Sequence, residues 1–131
     1  MSSQDADAEY WSALRDGVVK LPRCGGCGKW HWPAVSRCGE CGSWESDWHE
    51  VAPEGTIYTW ARTHHPFAGT EHVERPYVSV LVELADAGGI RLLGLLDGNE
   101  TPRIGDAVTA TIGTYRYMDR EIPSLVWHPA R

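Results

Sequence analysis

The spacing of apolar side chains divides the 131-residue chain into three stretches. In residues 5–15, Tyr10, Trp11 and Leu14 fall on one stripe of a 3.6-residue period, which predicts a short amphipathic helix. Ser3 or Asp5 is placed to cap it, and Gly17 supplies a left-handed stop. Residues 18–50 show no sustained period. There, residues 18–22 predict a short strand, Trp30-His31-Trp32-Pro33 its return strand, and residues 43–50 the exit. From Val51 onward the period becomes two, in runs separated by turn residues.

Residues 55–63 carry Ile57, Tyr58 and Trp60 among polar neighbours. Tyr77–Leu84 and Ile90–Leu96 flank Asp86-Ala87-Gly88-Gly89, which predicts an antiparallel hairpin. Gly94, inside the second run, predicts a bulge. Gly105-Asp106 turns into Ala107–Tyr117, and Met118-Asp119-Arg120 turns into residues 122–127. Five short strands with a bent first half, and no helical period, predict a small closed barrel of the OB type. The expected class is mainly β. An N-terminal helix covers residues 1–17, a cysteine-rich ribbon 18–50 and the barrel 51–131. No internal repeat stands out.

The ribbon is read from its cysteines. Cys24-Gly-Gly-Cys27 and Cys38-Gly-Glu-Cys41 are two C-x-x-C pairs ten residues apart, and the chain has no other cysteine. Each pair can place two thiolates on one side of a tight turn, and two facing turns give the four-sulfur tetrahedron that a structural Zn²⁺ takes. Glycines beside both turns let backbone N–H groups approach the sulfurs. The other readings are two disulfides, disfavoured by this spacing without a secretory signal, and iron in place of zinc. The metal also substitutes for apolar area that so short a segment cannot bury.

Composition narrows the function. The formal charge is −6. Residues 1–19 carry −3, residues 20–50 are neutral, and in residues 51–131 ten acids outnumber seven arginines. No segment has the Lys/Arg-rich face of a nucleic-acid binder. A single-stranded nucleic-acid module remains the alternative reading, because OB barrels and zinc ribbons both occur in that class. No apolar run reaches the length of a membrane span, and residues 1–7 lack a signal-peptide pattern, so a soluble cytoplasmic protein is expected.

Catalytic groups are scarce. Four thiolates close a zinc site, all cysteines are engaged, and no hydrolytic triad assembles from the sequence. His64 and His65 begin a long loop that ends near Arg75, and are either a solvated turn or a ligand contact. Arg62, Arg75, Arg91 and Arg116 lie on or beside strands where OB barrels present a binding face, as phosphate donors or plain surface charge. His31 and His49 flank the ribbon, and His72 and His128 give no signal. Tyr10, Trp11, Trp30 and Trp32 are either a local core or a partner-docking surface.

In order, Leu21-Pro22-Arg23-Cys24, residues 38–43, residues 55–60, Pro76-Tyr77, residues 89–96 and residues 104–108 make a pattern across nearly the whole chain. It resembles the DUF35 group of OB-fold proteins with a rubredoxin-like zinc ribbon. The resemblance implies an accessory subunit without activity of its own, partnered with a thiolase-fold enzyme in a hetero-oligomer. The implied settings are aldolase, hydratase, acyltransferase or thiolase assemblies acting on acyl-CoA, including those of steroid side-chain breakdown. It implies contact with the CoA thioester for some members. One departure is Trp32-Pro33-Ala34, where the family often has a second proline.

Overall fold

The computed structural model describes residues 6–98, 100–117 and 119–130. The chain forms two compact units. One contains the described residues of Met1–Ala52 together with Ala85–Ile90, and the other those of Pro53–Leu84 and Arg91–Arg131.

The first unit opens with helix α1, Ala8–Arg15. Its N-cap is Asp7, but that carboxylate accepts the indole N–H of Trp11 at 3.1 Å instead of a backbone donor. The expected caps Ser3 and Asp5 lie outside the described residues. Gly17, at φ 90°, ends the helix as expected. Its N–H reaches the Leu14 carbonyl and that of Val18 reaches Ala13, which is the Schellman pattern. Tyr10, Ala13 and Leu14 are buried in this unit, with Val19 and Leu21.

Strand β1, Val19–Cys24, pairs antiparallel with β2, Ser46–Val51, from Val19↔Val51 to Cys24↔Ser46. The return strand expected at Trp30–Pro33 is therefore replaced by the segment after the second knuckle. Trp30 keeps a single bridge to Arg23. The His31 N–H goes to the Pro22 carbonyl, and Pro33 has no N–H to extend a ladder.

The second unit is a closed barrel in the order β3-β4-β5-β7-β6. Its strands are β3 Glu54–Thr63, β4 Tyr77–Leu84, β5 Ile90–Leu96, β6 Ala107–Tyr117 and β7 Arg120–Pro129. Strands β3 and β4 are antiparallel, with a register shift between Ile57 and Thr59. The β6–β7 hairpin runs from Tyr117↔Arg120 to Val108↔Pro129, and β3 closes on β6 through Gly55↔Val108. Strand β5 meets β7 in parallel at Leu95↔Val126.

Alternation decides which face is inside. Val78, Val80, Val82 and Leu84 of β4 are buried, as are Ile57, Leu92, Leu96, Val108, Leu125 and Trp127. Gly94 serves close packing: a Cβ there would lie 2.8 Å from the Leu125 carbonyl oxygen and from the Trp127 indole. The link between β4 and β5 is longer than a tight hairpin. A 3-10 turn, Ala85–Ala87, is followed by Gly88 and Gly89, both at positive φ.

Candidate metal centre

Each C-x-x-C pair folds the same way. In the first, the Cys24 N–H donates to the Lys29 carbonyl at 2.8 Å and the Gly28 N–H to the Cys24 carbonyl at 3.0 Å. In the second, Cys38 donates to Ser43 at 2.9 Å and Gly42 to Cys38 at 2.9 Å. Gly28 and Gly42 sit at φ 80° and 79°, a left-handed turn that favours glycine. Gly26 is needed for room, since a Cβ there would lie 3.1 Å from the Cys41 sulfur.

The four cysteines are free thiols, with all four sulfurs within 4.8 Å of one another. The Cys24 and Cys41 sulfurs are 3.5 Å apart and those of Cys27 and Cys38 3.7 Å. A disulfide needs about 2.05 Å, so the disulfide reading is set aside. A tetrahedron with zinc–sulfur bonds of about 2.3 Å has edges of roughly 3.8 Å, which these spacings match. Among the described residues this is the one cluster of metal-ligating groups so arranged.

Electrostatics point the same way. The N–H groups of Cys27 and Gly26, at 3.4 and 3.3 Å, hold the Cys24 thiol down at about 6. The N–H of Cys41, then that of Glu40, lowers Cys38. At Cys27 the Lys29 N–H pulls downward, but burial and the three neighbouring sulfurs outweigh it and push the thiol up to about 11. Some of these sulfurs take charge readily and another resists it because of its neighbours. A divalent cation at the centre removes that repulsion. The donor set therefore fits a structural zinc, and four thiolates leave no open position for substrate.

The contacts expose a repeat that the sequence reading missed. Arg23-Cys-Gly-x-Cys-Gly-x-Trp30 recurs as Arg37-Cys-Gly-x-Cys-Gly-x-Trp44. Arg23 Nε donates to the Gly28 carbonyl at 2.7 Å and its guanidinium lies 5.5 Å from the Trp30 ring centre. Arg37 Nε donates to the Gly42 carbonyl at 3.0 Å and its guanidinium lies 5.5 Å from Trp44. Aligning the two knuckles on their cysteines would have found it.

The remaining predicted residues scatter. Tyr10 is buried, its ring 4.3 Å from that of Trp32, so it is core and not a docking aromatic. Trp11, Trp30 and Trp32 are half-buried. Arg62 donates to Thr101 Oγ1 at 3.1 Å and stacks on Trp60. Arg91 pairs with Glu83 at 3.2 Å and lies 3.7 Å from the Tyr58 ring centre. His64, His65, Arg75 and Arg116 are exposed, with His65 against Phe67.

The 64–76 loop is tied to the barrel by the Tyr115 hydroxyl, which donates to the Gly69 carbonyl. Beside it a cavity of about 280 Å³ is lined by Thr70, Val73, Tyr77, Leu93, Tyr115 and Leu125. His128, without a role in the sequence reading, links Thr111 Oγ1 at 2.8 Å to Asp97 at 3.3 Å. That chain joins the end of β5 to β6 and β7.

Among the described residues no helix is long and apolar enough to cross a membrane. Residues 11–45 match the rubredoxin-like zinc ribbon domain of ChsH2, and residues 48–113 match the ChsH2 C-terminal OB-fold domain. A solved structure described as "Ltp2-ChsH2(DUF35) aldolase" is similar over all of both chains, with 28% identity and a TM-score of 0.83. A DUF35 protein of unknown function from Sulfolobus solfataricus shares the fold, with 18% identity and a TM-score of 0.63 over 97% of this chain and 87% of that one. No curated protein matches. On these matches and this architecture, the chain belongs to the ChsH2-type DUF35 family, OB-fold proteins with a rubredoxin-like zinc ribbon.

Proposed function

We propose that this chain is a non-catalytic accessory subunit that binds a thiolase-fold acyl-CoA enzyme, an aldolase, acyltransferase or thiolase, and helps complete its acyl-CoA site. The observation that carries the reading is full-length similarity to a chain of an assembly described as an aldolase. The partner's fold and the CoA ester are the further step of this proposal, and the closed metal site bears on the non-catalytic role alone. Cys24, Cys27, Cys38 and Cys41 hold one zinc as a closed structural centre, which leaves the metal no catalytic position.

Arg75, Arg116, His64 and His65 are exposed on the barrel unit and can donate to the phosphates of CoA. Arg62 and Arg91 already have partners within the barrel and are weaker candidates. Trp11, Trp30 and Trp32 keep part of their rings at the surface of the ribbon unit and can extend a partner contact. The cavity beside the 64–76 loop is mostly apolar and suits an acyl or pantetheine portion better than a phosphate. The setting we assign is cytoplasmic breakdown of a steroid-like acyl chain.

The test is reconstitution. The zinc-loaded chain alone is expected to turn over no acyl-CoA substrate, and to co-purify in fixed ratio with a thiolase-fold enzyme of its own host, whose activity falls without it. Turnover by the isolated chain, or a host in which no such enzyme associates, contradicts the reading.

A further inference from the structure

The two knuckles share their sequence pattern and their contacts, yet their tryptophans meet different surroundings. Trp30 lies against the turn after Ala85–Ala87, within the same compact unit. A Cβ on Gly88 would come within 2.6 Å of Trp30 Cδ1, so bare backbone packs against the pyrrole edge of that indole. Gly88 sits at φ 67°, and Ala87 before it is fully buried. Trp30, with Arg23 over its ring and His49 edge-on to it at 5.6 Å, is thus a platform, and a glycine turn packs against its pyrrole edge. Trp44 with its stacked Arg37 repeats the platform, but Trp44 is 70% exposed.

We propose that Trp44, held by Arg37, anchors a second protein and takes from it what Trp30 takes within the chain: a glycine-bearing turn packed against the indole. The existence of that protein rests on the accessory-subunit reading above. Tryptophan and arginine are enriched among the residues that carry most of the energy of protein interfaces, and a ring already in contact with its arginine has less freedom to lose on binding. A nucleic acid is the poorer occupant. The ring could stack on a base, but residues 20–50 are neutral and the chain carries −6, so the basic face that phosphate binding draws on is missing. A second copy is also poorer, because the turn that fits the platform is already seated on Trp30 in every copy.

The experiment compares tagged wild-type, Trp44→Ala and Trp44→Phe chains expressed in the native host, with zinc content and circular dichroism checking that each is folded. The wild type is expected to recover a thiolase-fold enzyme in fixed ratio, Trp44→Ala roughly tenfold less or lower, and Trp44→Phe an intermediate amount. N-bromosuccinimide followed by peptide mass spectrometry should oxidise Trp44 in the free chain and spare it in the complex. If Trp44→Ala recovers as much enzyme and Trp44 stays reactive in the complex, the anchor is overturned while the accessory reading stands. If the wild type recovers no such enzyme, both are overturned. Light scattering that shows a dimer of this chain with Trp44 protected overturns the choice of a different protein.

Discussion

Gly94 of β5 lies under the indole of Trp127 of β7, so close that no side-chain carbon fits between them. Trp127 is fully buried and fills the barrel interior, and β5 meets β7 just beyond, at Leu95↔Val126 and Leu96↔Trp127. The glycine lets this parallel seam close around the largest side chain of the core. Gly94→Ala would bring its Cβ to 2.8 Å from both the Leu125 carbonyl oxygen and the indole, and the strand backbone cannot easily give way. The expected cost is about 1–3 kcal/mol in chemical denaturation. An unchanged or raised midpoint would show that the seam is looser than described.

Tyr10 gives a prediction at alkaline pH. Burial pushes its hydroxyl up to about 12 from an ordinary 10.0. The folded chain therefore keeps this proton after an unfolded chain would lose it. Its contribution to stability is complete below pH 10 and is lost as pH rises toward 12. Ultraviolet titration of phenolate should show a tyrosine ionising near the top of that window and absent from Tyr10→Phe. Alkaline destabilisation should also be smaller in that variant. Titration of every tyrosine near pH 10 would contradict the burial.

The 64–76 loop should depend on Tyr115. Its hydroxyl reaches the Gly69 carbonyl, and the Tyr117 ring lies where a Cβ on Gly69 would come within 2.9 Å. Tyr115→Phe removes one hydrogen bond, worth about 0.5–1.5 kcal/mol. We expect a small loss of global stability and faster amide exchange across residues 67–73. Uniform exchange in the two proteins would mean that the loop is held by something else.

His128 should act as a cross-strand staple. It joins Thr111 to Asp97 on the outside of the barrel, with Thr111 and Asp97 exposed. His128→Ala should cost about 1 kcal/mol or less and leave metal content unchanged. A loss several times larger would point to a role beyond the surface.

Much of this architecture is legible in the sequence because its signals are local. The C-x-x-C spacing sets the knuckles, Gly17 the helix end, and the alternation of Val78, Val80 and Val82 a barrel strand. What escapes is non-local or belongs to a different kind of pattern. The partner of β1 lies beyond the second knuckle, so the nearer Trp30–Pro33 segment is the tempting choice although Pro33 cannot extend a ladder. Gly94 is visible as a special position in its strand, but a glycine does not reveal which ring will cover it. The repeated Arg–Cys–Cys–Trp knuckle carries no hydrophobic period, and its meaning depends on where Arg23 and Arg37 turn their guanidinium groups. Tyr10 and Trp11 are neighbours on the helix stripe, yet one is buried and the other half-buried.

The central claim is that four sulfurs hold one ion and so give a segment with little core of its own a fixed shape. Native mass spectrometry of the purified chain measures this most directly. The account predicts one zinc per chain, lost on chelation together with the ribbon's ordered near-ultraviolet tryptophan signal, and lost in Cys41→Ser. A metal-free chain four protons lighter, bridged Cys to Cys, or a chain carrying iron, would contradict it.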